Sequence, residues 1–152
     1  MAGYTEDGRV NARIMDRVLR KFQTAATLVP KPEITIRDER SKTAIVYFGA
    51  TTPAVAEALD LLEKSGEKVN AMRLRAFPFG REVTEFIARH DRVFVVEQNR
   101  DGQMRSLLMT EADVPGEKLI ATLNYDGMPL AAAFVEKAVL KHLRPAKAAA
   151  AE

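Results

Sequence analysis

The sequence predicts a three-layer α/β domain built on a mostly parallel sheet, and two observations carry that expectation. Strand-like and helix-like segments alternate from residue 33 to residue 143, the pattern in which each helix crosses back over the sheet so that the next strand runs parallel to the last. Two of the strand-like runs, TAIVYFG (43–49) and RVFVVEQ (92–98), are continuously apolar and do not alternate, as expected of strands covered by helices on both faces.

Taken in order, NARIMDRVLRKFQTAATLV (11–29) places Ile14, Val18, Phe22, Ala25 and Val29 at helical spacing. Arg9, Arg13, Arg17 and Lys21 repeat every four residues along another stripe of the same helix, where like charges repel slightly. Pro30 and Pro32 end it, since neither can continue a helix. Residues 1–32 therefore read as a helical arm and linker, 33–143 as a domain, and RPAKAAAAE (144–152) as a disordered low-complexity tail. Within the domain, ITIR is a short strand and TAIVYFG a buried one. ATTPAVAEALDLLEKSG is a helix with Thr52 as its N-cap, Pro53 in its first turn, and Gly66 as its stop. KVNAMRLR is a strand, and AFPFGREVTEFIARHD leads into a helix that buries Val83, Phe86 and Ile87. RVFVVEQ is the second buried strand, DGQMRSLLM begins a helix, and KLIATLNY is the last strand. PLAAAFVEKAVLKHL, opened by Pro129, closes the domain with Phe134, Val135, Val139 and Leu143 turned inward.

Composition narrows the chemistry. The chain has 152 residues and no cysteine, which excludes disulfides, thiolate metal sites, Fe–S ligation and cysteine nucleophiles within it. At this length one domain is expected. His90 and His142 have no partner histidine at metal-ligand spacing, and each reads as a helix-end or surface residue. No apolar run approaches the roughly 18 residues needed to cross a bilayer, so a cytoplasmic protein without a membrane role is expected. The positive charge is concentrated in the arm, where Arg9, Arg13, Arg17, Arg20, Lys21 and Lys31 stand against Glu6, Asp7 and Asp16. One basic stripe without interleaved aromatics is not a nucleic-acid footprint. It is either a solvated face or a contact with an acidic partner.

Binding groups in an open α/β sheet collect where the strands end and the chain order reverses. If the two most apolar strands are central neighbours, Gly49, Thr51 and Thr52 face Glu97, Gln98, Asn99, Arg100, Asp101, Gly102 and Gln103 across such a crevice. No GxGxxG, GxxxxGK[ST] or GxSxG motif accompanies it. Glu97 reads as a hydrogen-bond anchor for adjacent loops, and Asn99 or Asp101 as the cap of the next helix, with Gly102 allowing a tight entry.

Three stretches, LRAFPF (74–79), VFVVEQNRDGQM (93–104) and NYDGMP (124–129), together resemble the C-terminal part of the alpha subunit of 2-oxoacid:ferredoxin oxidoreductases, especially the 2-oxoglutarate type. TEDGRVNARIMDRVLRKFQTA resembles the helical connector that follows the pyrimidine-binding domain of those subunits, and YFGATTPAVAEAL their first buried strand and helix. The resemblance covers about Tyr4 to Val135. It implies a transketolase C-terminal-like domain: a mixed, mostly parallel five-stranded sheet between helices, with ITIR as an antiparallel edge strand. It also implies a thiamine-diphosphate-dependent complex that oxidatively decarboxylates a 2-oxoacid to an acyl-CoA and passes electrons to ferredoxin.

In that family the thiamine diphosphate, Mg²⁺ and Fe–S clusters belong to partner domains or subunits, so no cofactor or metal is expected on this chain alone and none of its residues is expected to be catalytic. The expected partners are a pyrimidine-binding domain and a beta subunit, with homo-oligomerisation left open. Because the sequence lacks that pyrimidine-binding domain, it reads as a split subunit, a truncated product or a fragment, inactive by itself. The competing reading is a free-standing small α/β protein that binds an anionic ligand in the crevice.

Overall fold

A computed structural model describes residues 4–144. Helix α1 (Gly8–Leu28) is capped by Asp7, whose side chain accepts the Arg9 N–H at 2.9 Å, and it stops at Val29, ahead of the two prolines. The domain then runs β1 (Glu33–Thr35), β2 (Thr43–Phe48), α2 (Thr52–Lys64), β3 (Asn70–Leu74), α3 (Arg81–Ala88), β4 (Arg92–Glu97), α4 (Gln103–Glu111), β5 (Leu119–Leu123) and α5 (Ala132–Leu143).

The five strands form one sheet in the order β1-β3-β2-β4-β5. β1 pairs with β3 antiparallel, and the other pairings are parallel. The mixed five-stranded sheet and its antiparallel edge are thus as expected. β2 and β4 are direct neighbours, with Thr43 opposite Arg92 and Val46 opposite Val95. Their continuous apolar runs follow from two-sided coverage. Ile45, Tyr47, Phe94 and Val96 pack with residues of α2 and α5 such as Val55, Leu62, Val135 and Val139. On the opposite face Ala44, Val46, Val93 and Val95 pack with Val83, Phe86 and Ile87 of α3 and Leu108 of α4. Each fully buried aliphatic side chain contributes on the order of 1.5–3 kcal/mol, so these two strands hold both layers to the sheet.

Several local expectations shift. The edge strand is Glu33–Thr35, not Ile34–Arg37, because the Arg37 and Asp38 N–H groups turn to the Asn70 side-chain oxygen at 2.9 and 3.2 Å. The N-cap of α2 is Thr51, and Thr52 is already helical. The end of α2 follows the glycine signal: Gly66 has φ +87°, and the Gly66 and Glu67 N–H groups reach back to the Glu63 and Leu62 carbonyls, a Schellman closure. α5 starts at Ala132, so Pro129 lies in the preceding loop, and Phe134 is 37% exposed. The tail beyond Arg144 lies outside the described residues; Arg144 itself bonds Glu67 and the Ser65 carbonyl.

Candidate crevice at the carboxyl edge of the sheet

β3, β2, β4 and β5 are mutually parallel and end at one edge. Between the ends of the central pair is an open depression of about 440 Å³, lined by Phe48, Gly49, Ala50, Thr51, Gln98, Asn99, Gln103, Met104 and Leu107. Gly49, Thr51, Gln98, Asn99 and Gln103 of the expected set are therefore brought together, whereas Thr52, Glu97, Arg100, Asp101 and Gly102 do not line it. Phe48, Met104 and Leu107 were not foreseen as lining; they belong to the apolar stripes of β2 and α4 and carried no polar signal.

The first wall is built by a 3-10 turn, Gly49–Thr51. Gly49 takes φ +59°, a left-handed conformation that favours glycine. The Thr51 and Thr52 hydroxyls donate to the Phe48 and Gly49 carbonyls, each at 2.7 Å, so both hydroxyl hydrogens are engaged in holding the turn.

The second wall is organised by Glu97, the last residue of β4, which is fully buried. Its Oε2 accepts the Asn99 side-chain amide at 2.8 Å and the Met104 N–H at 2.7 Å, and its Oε1 accepts the Arg105 N–H at 3.0 Å. These N–H groups open α4, where helices lack internal partners and carry partial positive charge. Asn99 takes the donors immediately before them: its Oδ1 accepts the Asp101, Gly102 and Gln103 N–H groups at 3.1, 2.8 and 3.3 Å. Gly102 enters the helix at φ 62°, ψ 46°. The N-cap position is Gly102, so neither Asn99 nor Asp101 stands there: Asn99 reaches the helix from outside at the Gln103 N–H, Glu97 takes the next two donors, and the Asp101 carboxylate turns outward to Arg100 Nε at 2.7 Å. Sequence spacing could not show that a carboxylate seven residues before Met104 folds back onto the helix. On the far side of α4, Arg105 Nε and Nη2 donate to the Leu119 and Gly116 carbonyls at 2.8 and 2.9 Å.

The other singled-out residues lie elsewhere. Arg9, Arg13, Arg17 and Lys21 are exposed on α1, and only Arg9 has an acid within ion-pair distance among the described residues, Asp7 at 3.6 Å. His142 is exposed, bonds the Ala138 carbonyl and meets Phe94 edge to face. His90 stands at the end of α3, as one of its two readings had it, but is buried at 2% exposure, so the surface alternative does not hold. Its Nδ1 lies 2.8 Å from the Phe86 carbonyl and its Nε2 3.0 Å from the Asn70 side-chain nitrogen. A carbonyl facing one nitrogen and an amide donor facing the other fix the neutral tautomer with the proton on Nδ1. Burial lowers its pKa below the ordinary imidazole value, and Lys42, Lys118 and Arg89 push the same way. Among the described residues no group of three or more histidines and carboxylates is placed to hold a metal ion, and no helix is long and apolar enough to cross a membrane.

This architecture defines a transketolase C-terminal-like α/β domain. A split-gene transketolase, solved as an inactive tetramer, shares it with TM-score 0.54 and 23% identity over 73% of this chain and 41% of that one. Within that class the similarity is to 2-oxoacid:ferredoxin oxidoreductase alpha subunits. The chain is 32% identical over 133 residues, 84% of its length, to subunit alpha of 2-oxoacid:ferredoxin oxidoreductase 2 from Aeropyrum pernix, of which it spans 20%.

A 2-oxoglutarate:ferredoxin oxidoreductase from Magnetococcus marinus, solved with 2-oxoglutarate, coenzyme A and succinyl-CoA bound, has the same fold at TM-score 0.78. The match is 23% identical and covers 93% of this chain and 24% of that one. The alpha chain of a probable 2-oxoacid ferredoxin oxidoreductase from Thermoplasma acidophilum matches at TM-score 0.51 and 20% identity, over 75% of this chain and 97% of its own. No protein-family model matches the sequence. The resemblance read from the three sequence stretches therefore holds over most of the chain.

Proposed function

We propose that this chain is a non-catalytic assembly domain of a thiamine-diphosphate-dependent 2-oxoacid:ferredoxin oxidoreductase of the 2-oxoglutarate type, a complex that converts a 2-oxoacid to an acyl-CoA. One observation carries the non-catalytic part. The single carboxylate of the strand-end segment that points inward, Glu97, is fully engaged in capping α4, so the crevice presents neutral amides and apolar side chains and lacks an acid, base or nucleophile.

The residues present do not fit the complex's cofactors. The chain has no thiolate for an Fe–S cluster, and the crevice has no uncommitted carboxylate for Mg²⁺. Thiamine diphosphate, Mg²⁺ and the clusters would be held by partner domains or subunits. The chain spans about one fifth of the alpha subunit to which it is similar. The crevice, with Gln98, Asn99 and Gln103 on one wall and Gly49 and Thr51 on the other, is the surface offered to a partner.

The reading as an independent anion-binding protein needs spare backbone donors at a helix start. It loses the α4 start, where the N–H groups of Asp101, Gly102, Gln103, Met104 and Arg105 are all taken within the chain, and is left with the α2 start at Thr51, which has no side-chain cap. Co-expression with a pyrimidine-binding polypeptide and a beta subunit from the same genome tests the proposal. A co-purifying complex that turns over a 2-oxoacid, with no turnover by the isolated chain, is the expected result. Failure to associate, joined to ligand-specific thermal stabilisation of the isolated chain by phosphate, coenzyme A or a 2-oxoacid, would favour the anion-binding protein.

A further inference from the structure

The antiparallel edge strand has a topological effect on the arm. β1 begins with Glu33 opposite Arg73, close to the end of β3, so the chain enters the sheet at the edge where the parallel strands finish. α1 is delivered to that edge too. Its last turns meet the loop after β3, where Phe22 stacks edge to face on Phe77 at 5.4 Å and Phe77 on Phe79 at 5.2 Å, and Lys31 bridges to Glu82 at 2.6 Å.

N-terminal to this corner the helix projects with no buried residue. Ile14 and Val18 are 37% and 49% exposed and share the stripe of Phe22 by helical spacing, so they face the same side as the aromatic corner. The edge itself exposes apolar groups in the loop after β5, where Tyr125 and Met128 are 64% and 67% exposed. Exposed apolar side chains thus stand on the arm and at both ends of this edge, the kind of surface that marks an interaction site where one partner covers it.

We propose that the arm and the carboxyl edge of the sheet are the two walls of one docking surface, and that a single folded protein domain, acidic where it meets the arm, occupies both. The walls join at Phe22 and Phe77, which brings the stripe of Ile14 and Val18 and the edge to one corner that a single domain can cover. Charge selects the occupant. Arg13 and Arg17 each precede a residue of the apolar stripe, which places the basic row about 100° around the helix, on its flank. α1 carries Arg9, Arg13, Arg17, Arg20 and Lys21 against Asp16. Such a helix is repelled by a second copy of itself and attracted to an apolar patch with an acidic rim. The inference rests on the reading that the crevice faces a partner, and adds that crevice and arm share one partner of stated charge.

The test titrates the full chain separately against the pyrimidine-binding polypeptide and the beta subunit of the same genome. Two variants are compared with the wild type: Arg13→Glu with Arg17→Glu on the arm, and Gln103→Trp at the crevice, both confirmed folded by circular dichroism. Each variant is expected to weaken binding to one and the same polypeptide by about tenfold or more, with the salt dependence of affinity lost only in the arm variant. If the arm variant affects one polypeptide and the crevice variant the other, the shared-partner inference fails while the assembly reading stands. A wild-type chain that sediments alone as a dimer dispersed by Val18→Glu would overturn it in favour of a second copy. Binding of neither polypeptide by the wild type would overturn both.

Discussion

The segment after β4 and the arm before β1 are both rich in polar and charged residues, and they dispose of them in opposite ways. Residues 97–105 turn largely inward: Glu97 and Asn99 between them accept five consecutive backbone N–H groups, while Arg100 and Asp101 form a local pair in solvent and Gln103 is exposed beside the crevice. The arm turns outward: no residue of α1 is buried, and the helix meets the domain only in its last two turns, at the Phe22–Phe77 corner and where Ala26 and Val29 face the loop before α3. Polar density in a sequence therefore marks two different things. Where a strand ends inside the domain, it satisfies the chain's own backbone. Where a helix leaves the domain, it is surface offered to something else.

The sharpest way to break this contrast is Glu97→Gln. A carboxamide keeps one acceptor but sets an NH₂ against a backbone N–H, and losing a buried charged hydrogen-bond set costs about 2–3 kcal/mol. Urea denaturation should register that loss; a change below about 0.5 kcal/mol would show that α4 starts without the carboxylate. Asn99→Ala removes the side-chain acceptor at the helix entry and should cost about 1–2 kcal/mol in the same measurement.

A third test uses the buried histidine. The folded-state pKa of His90 is lowered, so as pH falls through about 6.5 the unfolded chain takes up a proton that the folded chain resists. Stability should decline below that pH, and more steeply for the wild type than for His90→Gln; identical slopes would remove His90 from the account. The smallest expected effect is on the arm, where Arg13→Glu with Arg17→Glu should leave stability within about 0.5 kcal/mol while changing association. A larger loss of stability would show that the stripe packs within the chain.

Much of the fold was legible because its signals are local. The apolar runs at 43–49 and 92–98 specified a two-sided core, and Gly66 specified the end of α2. The antiparallel edge came from family resemblance alone, since three residues of strand carry no directional signal. Misreadings occurred where several groups compete for the same backbone donors, near or far in sequence. Ile36 leaves the edge strand because Asn70 holds the next two residues, and Asp101 loses the cap because Glu97 and Asn99 reach it first. The crevice could be placed from topology, but its lining could not. Phe48, Met104 and Leu107 are apolar and carry no sequence signal for a crevice, and only the geometry places them at the opening.

Arg105 gives the second wall a property of its own. Its backbone N–H is held by Glu97 at the end of β4, and its guanidinium by Gly116 and Leu119 at the start of β5, so the first turn of α4 is fastened on two sides. First turns of helices ordinarily fray, and their amides exchange with solvent quickly. Here the amides of Met104 and Arg105 should exchange as slowly as those of the central strands, and a docking partner would meet a wall already in its final shape.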